Sequence, residues 1–123
     1  MLKKCGVSVL LPTVYHGRFA KMTDQQKAEI REEYDRILQE VTERTQDYDM
    51  IVFDEAVSAY RYQCIDQNRF LQFLKSEGAL REIILTGRNP AEEMLELADY
   101  MTEMKKIKHP FDQGVKARKG IEF

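Results

Sequence analysis

The chain has 123 residues, 43% of them hydrophobic and 33% charged, which is one domain with enough apolar material to fold around a core. Nineteen Lys and Arg against 21 Asp and Glu leave a net charge of -2, a balance that argues against bulk nucleic-acid binding. No apolar run approaches the roughly 18 residues of a membrane span, and the short β-branched stretch that Pro12 ends does not suit a signal peptide.

Val7-Ser8-Val9-Leu10-Leu11, between Gly6 and Pro12, predicts a first strand. Residues 12–22 read as a loop. Thr23 stands three positions before Gln26, a capping-box pattern that starts a helix over 24–45. Ile30, Tyr34, Ile37, Leu38 and Val41 give that helix one apolar stripe, while Glu32/Arg36 and Glu40/Arg44 suit its solvated side. Met50-Ile51-Val52-Phe53 predicts a strand buried on both faces, as in a parallel sheet, and Asp54-Glu55 closes it. A helix over 67–75, capped by Asp66, should bury Phe70, Leu71, Phe73 and Leu74. Residues 82–88 predict a second buried strand stopped by Gly87. Asn89 as N-cap and Pro90 at the first helical position predict a third helix, which should bury Met94, Leu95, Leu97 and Ala98. A short strand over 100–104 should lead into a basic tail over 105–120. Strands alternating with helices predict an α/β class with a mainly parallel sheet.

Cys5 and Cys64 form no CxxC pair and no ligand series with the two histidines, so they read as reduced thiols of a cytoplasmic protein. His109, between Lys108 and Pro110, reads as a packing or hydrogen-bonding group. Open α/β sheets bind ligands beyond the carboxyl ends of their strands. Asp54 and Glu55 fall at one such end, Thr86 and Arg88 at another, and Tyr60-Arg61-Tyr62 follows the first. An apolar run closed by carboxylates is a pattern by which a rigid strand presents hard oxygen ligands to Mg²⁺. Two acids after a strand also serve as a turn or cap, an arginine leading a helix is often simply solvated, and tyrosines there often pack a rim.

Longer strings are more specific. Tyr48-Asp49-Met50-Ile51-Val52-Phe53-Asp54-Glu55, Leu85-Thr86-Gly87-Arg88-Asn89-Pro90, the run from Leu97 through Asp99 to Thr102, Glu103 and Met104, and the tail from Lys108-His109-Pro110-Phe111-Asp112 to Gly120-Ile121-Glu122-Phe123 resemble the ATP:corrinoid adenosyltransferases in order and spacing. The resemblance covers essentially the whole chain. It implies a P-loop, RecA-type α/β fold of three layers, with a mainly parallel sheet flanked by helices. It implies transfer of the 5′-deoxyadenosyl group of ATP to the Co(I) of a corrinoid, with release of triphosphate, in cobalamin biosynthesis or salvage. The cobalt is then the nucleophile, and the protein positions the reactants and stabilises the leaving triphosphate with Mg²⁺ and cationic groups.

Carried onto this sequence, the resemblance places Mg²⁺ on Asp54 and Glu55, with Glu55 the leading ligand. It places the nucleotide phosphates near Thr86 and Arg88, with Lys108 and Lys116 as further contacts. The corrinoid side falls to Tyr60 and Tyr62. Implied partners are ATP, a corrinoid, a flavoprotein reductant and a second copy of the chain, with no nucleic acid and no membrane. The family's Walker A loop, G-x-x-x-x-G-K-[ST], has no counterpart here, so residues 1–123 are expected to form a single domain matching the C-terminal two-thirds of an adenosyltransferase. Three readings follow: a truncated family product, one half of a split enzyme, or a relative that binds a corrinoid or a partner without chemistry. Unpaired strand edges predict a homodimer or higher oligomer.

Overall fold

Thr23 starts the first helix as its spacing predicts. In the computed structural model, which describes residues 2–119, its side chain accepts the Gln26 N–H at 3.2 Å, and Gln26 accepts the Thr23 N–H at 3.0 Å. The helix, α1, runs Asp24–Arg44. Strand β1 follows at Met50–Phe53, then helix α2 at Ala56–Arg61, helix α3 at Gln67–Glu77, strand β2 at Glu82–Leu85 and helix α4 at Glu92–Leu97. Short 3-10 turns occur at Leu2–Cys5, Phe19–Lys21, Thr45–Asp47 and Pro110–Gln113. Residues 120–123 of the tail string lie outside the described residues.

On α1, Ile30 and Leu38 are buried and Tyr34, Ile37 and Val41 partly so. Glu40 pairs with Arg44 at 3.2 Å as spaced, but Arg36 turns to Glu33 at 3.1 Å instead of Glu32. Glu33 is held in place because the Thr13 N–H and hydroxyl donate to it at 2.8 and 3.0 Å. The Arg36 guanidinium, ahead of the Thr13 N–H, draws the Glu33 carboxyl down to about 2. A depressed folded-state pKa favours the native chain fully above the ordinary carboxylate value of about 4.3. That contribution is lost as pH falls through about 2. A carboxyl-resolved NMR titration should place the Glu33 midpoint near that value; an ordinary midpoint would show that the Thr13–Glu33–Arg36 linkage does not hold in solution.

The two strands pair in parallel, with Met50 opposite Glu82 and Phe53 opposite Leu85, and α2 and α3 form the crossover between them. Arg81 fixes the entry to the sheet: it pairs with Glu77 at 2.7 Å and donates to the carbonyls of Tyr48 and Thr45. Ile51, Phe53, Ile83 and Leu85 face a core built from Leu38, Ala56, Val57, Tyr60, Ile65, Phe70, Phe73 and Met94. Phe53 meets Phe70 and Phe73 edge-on, with ring centroids 5.3 and 5.6 Å apart. A smaller cluster of Met22, Ile30, Ala59 and Cys64 closes the far end of α1.

Several expectations are corrected. The strands are not buried on both faces: Met50 and Val52 are 54% and 56% exposed, because the helices cover only one side of the sheet. Among the described residues the architecture is a two-layer α/β arrangement with a two-stranded parallel sheet, without the second helical layer. Residues 7–11 form no strand, since no ladder partner lies beside them among the described residues and Val7 and Leu11 stay exposed. Residues 100–104 are likewise irregular, and Tyr100 and Met104 are almost fully exposed. Asn89 does not cap the third helix. It takes φ 54, a left-handed turn conformation, and the N-cap moves to Ala91, which supplies no side-chain bond. α4 consequently buries Met94 alone, and Leu95 and Ala98 remain exposed. α3 matches its prediction closely: the Asp66 side chain accepts the Arg69 N–H at 2.9 Å, and Phe70 and Phe73 are buried. No helix among the described residues is long and apolar enough to cross a membrane.

A candidate cation corner at the carboxyl end of the sheet

Thr86 follows β2 and continues the ladder, its N–H donating to the Phe53 carbonyl at 3.1 Å. Its hydroxyl donates to Oδ1 of Asp54 at 2.6 Å and accepts the Glu55 N–H at 2.9 Å. Its carbonyl accepts the Val57 N–H at 3.2 Å, at the start of α2. Glu55 itself takes φ 56 and ψ 16, left-handed and uncommon for a residue with a side chain. Ser58, one turn on, donates its hydroxyl to Oε2 of Glu55 at 2.7 Å. Gly87 lies against this turn with φ 145, where an added Cβ would sit 2.6 Å from that of Val57. Only glycine lets the chain after β2 approach the start of α2 this closely.

Asp54, Glu55 and Thr86, separated by 31 or more positions across the crossover, are thus one interlocked corner. Ser58 and Gly87 belong to it; Ser58 carries no sequence signal, and Gly87 is readable in the sequence only as the stop of the second strand and as part of the string over 85–90. Both carboxylates are exposed, and each has an oxygen not engaged by these hydroxyls. No group of three or more His, Cys, Asp and Glu able to hold a metal occurs among the described residues. Two carboxylates beside a hydroxyl therefore do not form a closed cage. They suit a hard cation that keeps much of its water and takes one or two carboxylates together with ligand phosphates, which is how Mg²⁺ is commonly held.

The remaining expected site residues are dispersed. Arg88 is exposed directly after Gly87. Lys108 and Lys116 are exposed on the tail, with no hydrogen bond to the corner among the described residues. Tyr60 points into the core at 2% exposure, and its hydroxyl donates to Glu93 of α4 at 2.7 Å. Burial, ahead of the Glu93 hydrogen bond, pushes this phenol up to about 12, so it works as a packing residue and helix tie. Tyr62 is half-buried on the Phe19 ring, centroids 6.3 Å apart, with Arg61 over its own ring. His109 accepts the Phe111 N–H at 3.1 Å and caps the turn in the tail. Cys64 is fully buried, and desolvation raises its thiol pKa.

The family model described as "ATP:corrinoid adenosyltransferase BtuR/CobO/CobP" matches residues 1–123. A corrinoid adenosyltransferase of Sinorhizobium sp is 47% identical over 75 residues, which are 60% of this chain and 35% of that protein. The Pseudomonas aeruginosa corrinoid adenosyltransferase is 36% identical over 77 residues, 63% of this chain and 38% of that protein. The Escherichia coli (strain K12) corrinoid adenosyltransferase is 36% identical over 75 residues, 61% of this chain and 38% of its own length. The chain thus spans between 35% and 38% of the length of these relatives. No solved structure gives a significant match.

Proposed function

This chain belongs to the ATP:corrinoid adenosyltransferase family, and on that premise we propose that it takes part in moving the 5′-deoxyadenosyl group of ATP onto the Co(I) of a corrinoid. The supporting observation is the corner where Asp54, Glu55 and Thr86 meet at the carboxyl edge of a parallel sheet. Asp54 and Glu55 would hold Mg²⁺, whose contribution when bound is to neutralise charge on the departing triphosphate. Arg88, next to the corner in sequence, supplies a fixed positive charge for phosphate oxygens. Lys108 and Lys116 add further cationic groups from the tail. Because the corrinoid brings its own nucleophile, the chain needs no activated Ser, Cys or His; its residues bind and orient. Tyr62 keeps part of its ring exposed for an apolar contact with the corrinoid, while Tyr60 serves the core.

The same reading carries a P-loop type of fold, a flavoprotein reductant for the cobalt, a cytoplasmic setting and self-association. Met50, Val52 and Ile84 on the uncovered sheet face offer apolar surface for a second copy.

Isothermal titration of the purified chain with Mg·ATP and then with a corrinoid tests the proposal. Nucleotide binding supports an adenosyltransferase role, corrinoid binding alone a binding module, and neither removes both. Glu55→Gln should abolish the Mg²⁺-dependent part of the heat while melting like the parent chain; unchanged metal dependence would take Glu55 out of the site. The same sample at sedimentation equilibrium reports assembly, and a concentration-independent monomer would rule out self-association.

A further inference from the structure

A threonine hydroxyl has one proton and two lone pairs. In Thr86 the proton goes to Oδ1 of Asp54 at 2.6 Å, and one lone pair receives the Glu55 N–H at 2.9 Å. A hydroxyl committed in this way has no proton left for a phosphate oxygen. We propose that Thr86 is a positioning residue, which orients the Asp54 carboxylate and fixes the backbone turn at Glu55 for a divalent cation. The proposal rests on the reading of Asp54 and Glu55 as cation ligands.

The geometry gives the reason such a residue is needed. Adjacent side chains on an extended strand point to opposite faces, so two consecutive carboxylates would diverge. The left-handed conformation at Glu55, φ 56 and ψ 16, interrupts that alternation two residues after β1 ends at Phe53. A residue with a Cβ occupies this region at some strain, and persists there when its surroundings over-determine it. Here the surroundings are the Thr86 hydroxyl on the Glu55 N–H, the Thr86 carbonyl on the Val57 N–H and the Ser58 hydroxyl on the Glu55 carboxylate. The hydroxyl bonds to Asp54 and Glu55 depend on the identity of residue 86; the backbone bond to Val57 does not. Thr86→Val therefore removes the positioning group while keeping shape and β-branching, and Thr86→Ser keeps the hydroxyl.

The probe is Mn²⁺, titrated into the purified chain without nucleotide and followed by electron paramagnetic resonance. Loss of an outer-shell partner of a metal ligand weakens affinity by about 10- to 100-fold, and that is the loss expected for Thr86→Val, with Thr86→Ser close to the parent chain. In the metal-free chain the Glu55 amide should exchange with deuterium faster in Thr86→Val than in Thr86→Ser. Triphosphate affinity measured in EDTA should be the same in all three. If Thr86→Val does not fold, Thr86→Ala takes its place in each comparison. Parent-like Mn²⁺ affinity in the hydroxyl-free variant, beside a loss in Glu55→Gln, would overturn the positioning role and leave the cation site standing. Equal Mn²⁺ binding by the parent chain and Glu55→Gln, or none by the parent chain, would remove the site and the proposal with it. A hydroxyl-free variant that keeps Mn²⁺ but loses triphosphate in EDTA would make Thr86 a phosphate contact instead.

Discussion

Phe70→Ala should destabilise the chain by about 3–5 kcal/mol, the range for deleting a fully buried aromatic ring. Phe70 has no solvent exposure, meets the Phe53 ring edge-on at 5.3 Å and lies 6.4 Å from the Tyr60 ring. It therefore joins α3 to β1 and α2 at once. Domains are stable by about 5–15 kcal/mol, so this single truncation removes a large fraction of the total. Urea unfolding should show a lower midpoint with an unchanged slope. A loss below about 1 kcal/mol would mean that the site collapses around the smaller side chain and that Phe70 is not packed in solution against Phe53 and Tyr60.

Gly87→Ala should be nearly as damaging and should also reach the candidate site. At φ 145 a side chain is strained whatever the space, and here the added Cβ meets the Val57 Cβ at 2.6 Å and the Ser58 nitrogen at 3.1 Å. Backbone strain of this kind costs about 1–3 kcal/mol, and overpacking adds about 1–3 kcal/mol more. Relief requires β2 to move away from α2, which stretches the Thr86 bonds to Asp54, Glu55 and Val57. Both the melting temperature and the Mg²⁺ dependence should fall. Gly114→Ala is the control, since Gly114 has φ 79 with nothing within 4 Å of its added Cβ. It carries backbone strain without the collision, so its loss should be the smaller. Equal effects of the two variants would show that close approach at Gly87 is not what requires glycine there.

The local signals in the sequence served best where a segment's own chemistry decides its structure. The capping box of Thr23 and Gln26, the Asp66 cap and the apolar spacing of α3 each involve residues within a few positions of one another, and each is realised. Where an element depends on a partner, the same signals were insufficient. The β-branched run over 7–11 has the composition of a strand, but a strand is a pairing, and among the described residues this one has no ladder partner. Met50-Ile51-Val52-Phe53 has the continuous hydrophobicity of a doubly covered strand, and the structure covers one face only. At Asn89, tolerance of a left-handed turn outweighed the capping preference of the same side chain.

By itself, then, the sequence determined α1 and α3, the parallel α/β character of the centre, the position of Asp54 and Glu55 at a strand end and the family to which the chain belongs, but not α2, for which it gave no helical signal. These rest on periodicity, caps and contiguous strings, all readable along the chain. Only the tertiary structure decided that Thr86 holds Asp54 and Glu55 together, that Ser58 and Gly87 complete the same corner, and that Tyr60 is a core residue tied to Glu93. The physical reason is distance along the chain: bonds between positions 31 to 33 residues apart exist only once the α2–α3 crossover brings the ends of β1 and β2 side by side.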